Sequence, residues 1–266
     1  STAEEVTAGI DLAGRTVLVT GANSGLGYES MRVLALRGAH VIGTARTLEK
    51  AAAACASVTG RTTPVALELT DFDSVVACAG TVSALGVPLD ALLCNAGVME
   101  VPTAEQVNGI ERHFVTNHLG HFLLTRRLLP QLAAAPQGRV VVVSSGAYKQ
   151  APAAGIEFDN LSGERDYEPR KAYGQSKLAN YLFVSIRIEI ASGVDLWRTR
   201  EQAHLLRDAL VRASHDHDLA DPNDPNALNQ PRAIEVYRAA AAAALGERAI
   251  SGVSIIAVYS SQGTGI

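Results

Sequence analysis

Long apolar runs and clusters of basic residues are both missing from this 266-residue sequence. No apolar stretch approaches the length of a membrane span, and the start has neither a basic region nor an apolar leader segment. The formal net charge is −4, the pI is near 6.0, and no run of lysine or arginine offers a surface for nucleic acid. We therefore expect a soluble, cytoplasmic protein whose partners include neither a membrane nor a nucleic acid.

Cysteine is scarce as well. Cys55, Cys78 and Cys94 are the only three, and no two of them have the C-x-x-C spacing of redox and metal motifs. All three fall in or beside predicted core elements. We interpret them as reduced packing residues, with neither a disulfide nor a metal role.

The histidines do not supply a metal site either. His113, His118 and His121 lie on one predicted helix at i, i+5 and i+8, which is not a tight ligand spacing. We predict that these three are surface or interface residues. His215 and His217 are closer together, but they lie in a polar stretch that is typical of a solvated helix end.

What the sequence does contain is a regular alternation of apolar strands and helices. The predicted strands lie near 15–20, 39–44, 64–69, 89–94 and 139–144, and the predicted helices near 25–37, 47–57, 72–86, 106–134 and 168–191. Alternation of this kind predicts right-handed crossovers and a parallel sheet with helices on both faces. We therefore predict one α/β domain over residues 1–266, with a doubly wound, mostly parallel sheet.

The first predicted strand ends in a glycine-rich turn, Gly21-Ala-Asn-Ser-Gly-Leu-Gly27, that leads into a helix. Glycines allow close approach of a backbone, and the free N–H groups and dipole of a helix start favour an anion such as a pyrophosphate. The GxxxGxG spacing differs from the general GxGxxG fingerprint, and no Lys-Ser/Thr follows the last glycine, which argues against a P-loop. An ordinary strand-to-helix turn would also use glycine, so the later motifs decide what this turn holds.

The end of the second predicted strand indicates which dinucleotide would bind. In sheets of this kind an acidic residue there binds a ribose 2′-hydroxyl, whereas a basic residue binds a 2′-phosphate. Ala45 stands at the acidic position and Arg46 follows it, so no carboxylate repels a phosphate that the arginine can hold bidentately. Asn23 and Ser24 of the glycine turn could add hydrogen bonds. We predict NADP(H) as the cofactor, in preference to NAD(H).

A tyrosine and a lysine four residues apart, Tyr173 and Lys177, predict a proton-transfer site. On a helix this spacing places both side chains on one face, and an adjacent cation lowers the pKa of a phenol. Ser144 and Ser145 end a predicted strand upstream, and a hydroxyl from there could share a substrate oxygen with the phenol. Such a group suits the interconversion of a carbonyl and an alcohol. A surface pair would have the same spacing, so the glycine turn is what gives this one its weight.

The order and spacing of these motifs resemble the short-chain dehydrogenase/reductase family, in its compact single-domain subclass. The segments that carry the resemblance are Thr20–Gly27, Cys94-Asn-Ala-Gly97, Asn117 in Asn-His-Leu-Gly120, Ser145 and Tyr173-x-x-x-Lys177. The stretches RHFVTNHLGHFLLT, RVVVVSSGAYK and AYGQSKLANYLF are similar to the retinol-dehydrogenase-like branch. The resemblance covers about residues 10–192. It implies a Rossmann-type fold, a small, largely apolar carbonyl or alcohol substrate, and a homodimer or homotetramer.

The resemblance also implies roles for four residues in the reaction. Tyr173 would be the general acid or base, and Lys177 would hold the nicotinamide ribose and keep the phenol acidic. Ser145 would polarise the substrate oxygen, with Ser144 facing the core or backing the loop, and Asn117 would hold a water that relays protons from Lys177.

Further cofactor contacts follow from the same resemblance. Glu68 stands where relatives carry an adenine-binding Asp, so the main-chain N–H of Leu69 would be the main contact with the base. Asn95-Ala96-Gly97 would approach the ribose, although Cys94 replaces the Asn that often precedes this motif. The full set of predicted cofactor-binding residues is Gly21, Asn23, Ser24, Gly25, Leu26, Gly27, Arg46, Glu68, Leu69, Asn95, Ala96, Gly97, Tyr173 and Lys177.

The sequence departs from the family after residue 192. Relatives continue into a sixth strand that ends in Pro-Gly, whereas residues 193–197 are followed at once by a charged segment. Predicted helices near 201–220 and 232–246 then lead to a last strand near 252–258. We prefer to interpret this strand as the family's seventh, with a shortened sixth at 193–197; alternatively it is the sixth, after a long insertion. The substrate region at about 193–252 is atypical in either case.

Two other functions stay open. A catalytically silent nucleotide-binding sensor or regulatory subunit would use the same fold, and the atypical C-terminal region is its only support. A lyase or epimerase with a recycled nicotinamide is the other, although relatives with that chemistry mostly carry a longer substrate domain and a GxxGxxG turn.

Overall fold

A computed structural model describes residues 2–185 and 253–260 of the protein. The strands are β1 (Thr16–Val19), β2 (His40–Ala45), β3 (Thr62–Ala66), β4 (Ala91–Cys94), β5 (Gln106–Val107), β6 (Ile110–Glu111), β7 (Gly138–Ser145) and β8 (Val253–Ser260). The α-helices are α1 (Ala3–Val6), α2 (Gly25–Leu36), α3 (Leu48–Ala56), α4 (Phe72–Ala84), α5 (Arg112–Phe114), α6 (Gly120–Ala133) and α7 (Pro169–Ser185). A π-helical turn, Val115–Leu119, joins α5 to α6, and short 3-10 helices lie at Gly146–Gln150 and Phe158–Asn160.

Six of the strands form one parallel sheet in the order β3-β2-β1-β4-β7-β8. The chain steps outward from β1 to β3 and then returns to place β4 on the other side of β1. This reversal creates the crevice in which doubly wound sheets bind their ligands. The predicted fold class, a doubly wound parallel sheet of the Rossmann type, is confirmed.

The core lies on both faces of the sheet, as the near-continuous apolar strands predicted. Within β1, Leu18 packs into one buried cluster with Ile42, while Val17 and Val19 pack into the other with Val41. This alternation is the two-residue period of a strand, here with apolar side chains on each face.

The predicted helix over 106–134 is wrong in its first six residues, which form the β5–β6 hairpin instead. Asn108 and Gly109 make the turn with φ values of 53° and 78°, and two such left-handed residues are what a tight hairpin turn requires. The Asn-Gly pair was the sequence signal for this hairpin. The helix begins only after Glu111, whose carboxylate accepts a hydrogen bond from the main-chain N–H of Phe114 at 3.0 Å.

The other boundaries lie close to those predicted, apart from β3, which ends three residues earlier than expected. Pro64 lies in this strand and is tolerated because, in the described part of the sheet, β3 is an outer strand.

The last strand, β8, pairs directly with β7 in parallel, from Gly138 with Val253 to Ser145 with Ser260. It therefore takes the sixth place in the sheet. The preferred interpretation, a seventh strand beyond a shortened sixth, is wrong, and the alternative is correct on this point. Some of the predicted features lie outside the described residues. They are the strand at 193–197, the helices at 201–220 and 232–246, the end of the helix predicted to reach 191, the substrate region at 193–252, and the pair His215 and His217.

The prediction that His113, His118 and His121 are surface or interface residues is also wrong. Their exposed fractions are 0%, 5% and 2%. His118 packs its ring against Phe183 of α7, with ring centroids 6.1 Å apart. Helix α7 covers the side of the helix that carries these residues, which the spacing alone did not indicate. Among the described residues no group of three His, Cys, Asp or Glu side chains could hold a metal ion, and no helix could cross a membrane.

Burial has an electrostatic consequence for two of these histidines. Desolvation lowers the pKa of His118 and of His121 to about 4, because a charged imidazolium is disfavoured in a site that excludes water. Both rings are therefore neutral at neutral pH.

We expect acid to weaken the fold through these two histidines. An unfolded histidine titrates near about 6.5, so between pH 6.5 and 4 the unfolded chain binds more protons than the folded chain does. The free energy of unfolding should thus fall as the pH falls through this range. Between pH 7 and pH 5 each histidine should contribute about 2 kcal/mol of that loss.

Urea denaturation at pH 7 and at pH 5 measures this effect, with the His118→Gln variant as the comparison. The variant keeps one of the two histidines, so its loss between the two pH values should be about 2 kcal/mol smaller than that of the unaltered chain. Equal losses in the two proteins would contradict the predicted titration of His118.

Candidate active site

A cavity of about 360 Å³ lies at the carboxyl ends of β1, β2 and β4, on the crevice that the strand order creates. Its lining residues are Gly21, Asn23, Ser24, Leu26, Gly27, Ala45, Arg46, Leu67, Glu68, Leu69, Asn95, Ala96, Gly97, Val98, Arg112 and Thr116. Apart from Gly25, Tyr173 and Lys177, every residue predicted to bind the cofactor is in this set. We call this cavity the nucleotide cleft.

The glycine turn requires glycine at two of its positions. Gly21 has a φ of 67°, and a Cβ atom there would lie 3.0 Å from the Cβ of Ala96. A Cβ on Gly27 would lie 2.6 Å from the side-chain nitrogen of Asn95. The turn thus lies against the segment that follows β4. Ser24 begins α2 without a hydrogen bond from its side chain to the helix, so its hydroxyl is directed elsewhere.

Thr20 holds these two segments together. Its hydroxyl oxygen accepts hydrogen bonds from the main-chain N–H groups of Asn95 at 2.9 Å and Ala96 at 3.0 Å. The side-chain amide of Asn95 in turn donates to the main-chain oxygen of Thr20 at 3.0 Å. Sequence reasoning did not assign this role to Thr20, because a threonine at the end of a strand has no distinguishing pattern.

The residues predicted to contact the ribose phosphate and the base, Arg46, Glu68 and Leu69, also line the cleft. Ala45 is buried and Arg46 is exposed, so the guanidinium is accessible from solvent. Glu68 directs its carboxylate to Thr70, accepting from the main-chain N–H at 3.0 Å and from the hydroxyl at 2.8 Å.

Arg112 and Thr116 line the cleft but were missed by sequence reasoning. The predicted helix already contained both residues, but no motif marked either of them as a cofactor contact. They lie on the helix face that continues to Gly120, where a Cβ atom would be 2.9 Å from the Cβ of Leu69.

Ser145, Tyr173 and Lys177 lie together beside the cleft. Ser145 ends β7, and its hydroxyl is near enough to Tyr173 to oppose the rise in the pKa of the phenol. Close packing makes this possible, because a Cβ atom on Gly174 would lie 2.7 Å from the main-chain oxygen of Ala147. The Lys177 Nζ atom lies 5.6 Å from the centroid of the Tyr173 ring. The predicted grouping of these three residues therefore exists in the fold.

The pKa values of the tyrosine and the lysine are both shifted toward the neutral form. Burial raises the pKa of Tyr173 above its ordinary value of 10, although the Ser145 hydroxyl opposes the shift. Burial lowers the pKa of Lys177 to about 8. Its Nζ atom donates to the main-chain oxygen of Val143 at 3.0 Å. The expected lowering of the phenol pKa is therefore wrong, because desolvation outweighs the opposing effect of Ser145.

Asn117 fastens the segment after β4 to α7. Its side-chain oxygen accepts from the N–H of Val98 at 2.8 Å, and its side-chain nitrogen donates to the oxygen of Val98 at 3.0 Å. The same nitrogen donates to the Ser176 hydroxyl at 2.9 Å. A Cβ atom on Gly97 would lie 2.9 Å from this side chain and 3.8 Å from the Lys177 ammonium, so the cleft and the lysine are adjacent.

Ser144 is buried, and its hydroxyl donates to the main-chain oxygen of Lys177 at 2.9 Å. Its predicted place behind the site is confirmed. It therefore supports the helix that carries the lysine rather than facing a substrate.

A buried Glu111–His113 pair, also missed from the sequence, packs behind Tyr173. His113 accepts from the main-chain N–H of Val101 through Nε2 at 3.1 Å, so Nδ1 carries the proton and donates to Glu111 at 2.6 Å. The His113 and Tyr173 rings are 6.0 Å apart, in an edge-to-face arrangement. The Tyr167 hydroxyl donates to the main-chain oxygen of Val101 at 2.7 Å. Val101 is therefore held through both its N–H group and its carbonyl oxygen.

Comparison with known proteins agrees with this geometry. The model of the short chain dehydrogenase family matches residues 15–157, which is more than half of the chain. The chain is 42% identical over 192 residues to the short-chain dehydrogenase TIC 32 B, chloroplastic, of Brassica napus, covering 68% of this chain and 60% of that protein. It is 42% identical over 182 residues to human retinol dehydrogenase 11, covering 66% of this chain and 56% of that protein.

Solved structures give the same result. A protein described as putative and uncharacterized from Mycobacterium Paratuberculosis has a TM-score of 0.59 and 46% sequence identity, covering 66% of this chain and 62% of that chain. A short-chain dehydrogenase from Shigella flexneri 2a, solved as a complex with NADP, has a TM-score of 0.50 and 27% identity, covering 65% of this chain and 70% of that chain.

The match thus spans about 60% of the length of the first curated relatives. The residues that the family model matches, 15–157, include the glycine turn, the segment after β4 and Ser145. The chain belongs to the short-chain dehydrogenase/reductase family, in its retinol-dehydrogenase-like branch.

Proposed function

We propose that the protein is an NADP(H)-dependent oxidoreductase that interconverts a carbonyl and an alcohol on a small, largely apolar substrate. The observation that carries the proposal is the position of Ser145, Tyr173 and Lys177 together at the side of the nucleotide cleft. Family membership supports a nicotinamide cofactor, since members of this family bind NAD(P).

Each residue beside the cleft would have a separate role in the reaction. The bound cofactor would supply a hydride to the carbonyl carbon. Tyr173 would donate its hydroxyl proton to the carbonyl oxygen, which Ser145 holds by a hydrogen bond, and an alcohol would form. Lys177 would hold the ribose and return a proton toward the phenolate.

The pKa shifts favour the direction of carbonyl reduction at neutral pH. Burial keeps Tyr173 protonated, which is the form that donates a proton to a carbonyl. Oxidation of an alcohol would instead require the phenolate. A bound oxidised nicotinamide, which is cationic, would favour that form.

Preference for NADP(H) rests on the end of β2. Ala45 leaves no carboxylate to repel a 2′-phosphate, and Arg46 lines the same cleft as the glycine turn. The Shigella flexneri relative is described as an NADP complex, which is consistent with this choice. A homodimer or homotetramer and a cytoplasmic location stay part of the proposal.

The grouping of the reactive side chains also favours an enzyme over a silent nucleotide sensor. A sensor has no need of a serine and a tyrosine grouped beside a buried lysine. A recycled-nicotinamide lyase or epimerase would show no net oxidation of NADPH.

The Tyr173→Phe variant should lose activity while it still binds the cofactor. Removing the phenolic proton donor should lower kcat for NADPH oxidation by about 100-fold or more. The affinity for NADPH should change by less than about twofold, because Tyr173 does not line the nucleotide cleft.

A panel of aldehydes and ketones, followed by NADPH absorbance, measures the rate, and fluorescence titration measures the affinity. Tyr28→Phe is the matched control, since the Tyr28 hydroxyl hydrogen-bonds Ser57 at 2.9 Å and Tyr28 does not line the nucleotide cleft, so kcat should be unchanged. Full activity in Tyr173→Phe would refute the assigned role.

The Arg46→Ala variant should lose affinity for NADPH but not for NADH. A charge-assisted, bidentate contact with the 2′-phosphate is worth about 1.5–3 kcal/mol, so the dissociation constant for NADPH should rise about 10- to 100-fold. Ala45→Asp should change the preference in the same direction, by placing a carboxylate beside the phosphate.

Titration of both cofactors against each variant measures the preference. Arg61→Ala carries the same change of charge but lies outside the nucleotide cleft, beside another cavity, and should alter neither affinity. Parallel losses of NADPH and NADH binding in Arg46→Ala would show that the arginine does not read the 2′-phosphate.

A further inference from the structure

A chain of buried polar side chains runs from the glycine turn to Lys177. Its members are Thr20, His121, Asn117, Asn180 and Lys177, and each is nine-tenths or more buried. Two of them, His121 and Asn180, have no role in the reaction proposed above. Neither is among the described residues that line the nucleotide cleft.

The hydrogen bonds of His121 fix its tautomer. Its Nδ1 atom lies 3.1 Å from the main-chain oxygen of Asn117, and a carbonyl oxygen can only accept, so Nδ1 carries the proton. The Nε2 atom of the neutral ring is then an acceptor, and it lies 2.9 Å from the Thr20 hydroxyl.

The contacts of the Thr20 hydroxyl show in the same way where its proton is donated. Its oxygen already accepts from the N–H groups of Asn95 and Ala96, so its own proton is left to donate. His121 Nε2 is 2.9 Å away, and the oxygen of Leu93 is 3.3 Å away. The shorter contact favours donation to His121. The imidazole thereby connects the end of β1 to the backbone of Asn117.

Asn180 continues this connection to the lysine. Its side-chain nitrogen donates to the main-chain oxygen of Asn117 at 3.1 Å and lies 3.4 Å from that of Val143. The same oxygen of Val143 accepts from the Lys177 ammonium at 3.0 Å. The Asn180 oxygen accepts from His118 Nδ1 at 3.1 Å, which fixes the orientation of the amide.

Two protein donors therefore occupy the main-chain oxygen of Asn117. A carbonyl oxygen has two lone pairs, and His121 and Asn180 donate to both of them. The side chain of Asn117 is already committed to Val98 and Ser176.

We propose that His121 and Asn180 are positioning residues that hold the nucleotide-binding turn and the Lys177 ammonium in one hydrogen-bonded network. The inference rests on the proposed function, because the turn is taken to bind NADPH and the lysine to assist proton transfer. The two nitrogen atoms of the His121 imidazole position different parts of the site. The Nε2 end sets the turn through Thr20, and the Nδ1 end sets the lysine through Asn117.

Three substitutions of His121 separate the two ends. His121→Asn places an amide nitrogen where Nδ1 was, so it keeps the bond to Asn117 and loses the bond to Thr20. His121→Gln places an amide oxygen where Nε2 was, so it keeps Thr20 and loses Asn117. His121→Leu loses both.

NADPH affinity and kcat should change in different variants. His121→Asn should weaken NADPH binding about fivefold and leave kcat within about twofold, because the loss is at the turn. His121→Gln should lower kcat about fivefold and leave NADPH affinity within about twofold. His121→Leu should show both losses, and Asn180→Leu should lower kcat alone. Fluorescence titration and steady-state NADPH oxidation measure the two quantities.

Thr125→Val is the matched control, since the Thr125 hydroxyl donates to the main-chain oxygen of His121 at 2.8 Å without touching either ring nitrogen. It should change neither quantity by more than about twofold. If NADPH affinity and kcat fall together in every His121 variant, in proportion to the loss of stability, the histidine is merely structural and the inference is wrong.

Nitrogen-15 NMR of the imidazole provides a readout that does not depend on activity. The inference expects His121 to be neutral and protonated at Nδ1 at neutral pH, and protonation at Nε2 would overturn it. Absence of NADPH binding and of turnover in the unaltered chain would instead refute the proposed function. The NMR result would still show whether Nδ1 of His121 carries the proton, as the proposed hydrogen bonds require.

Discussion

Pairing of buried polar groups is the constraint on which this structure depends. Helix α7 packs over β7, α5 and the π-helical turn, and the buried polar residues of this region include Asn117, Asn180, His118 and Lys177. A buried polar group without a partner costs about 1–3 kcal/mol, so these residues must satisfy one another. The glycine turn, the segment after β4 and the two helices are joined because their polar groups have only each other as partners.

The same constraint explains the electrostatic character of the site. Water is excluded from the lysine and the histidines, which disfavours their charged forms, and the tyrosine keeps its proton for the same reason. His118, His121 and Tyr173 are therefore uncharged at neutral pH, whereas Lys177, with a pKa of about 8, keeps most of its positive charge. A second positive charge lies at the exposed side of the cleft, on Arg46.

The sequence predicted the part of this arrangement that local pattern controls. Apolar strands, the glycine turn, and the tyrosine and lysine at i and i+4 are properties of short segments, and each was found where expected. Residues such as His121 and Asn180 were beyond it, because their partners lie 60 or more positions away, as the contact of Asn180 with Asn117 shows. The Asn108-Gly109 hairpin was predictable in principle, but the long apolar pattern that follows it favoured a single helix.

The position of β8 bears on the order in which the domain assembles. Gly138 pairs with Val253, so this edge of the sheet joins segments more than one hundred residues apart, whereas β1 to β4 are connected by short crossovers. The entropy lost in closing a loop grows with its length, and contacts between distant segments slow folding. We therefore expect the half of the sheet that carries the nucleotide cleft to form before β8 docks. The dinucleotide would then stabilise an early-folding unit, and the edge strand would set the rate of the final step.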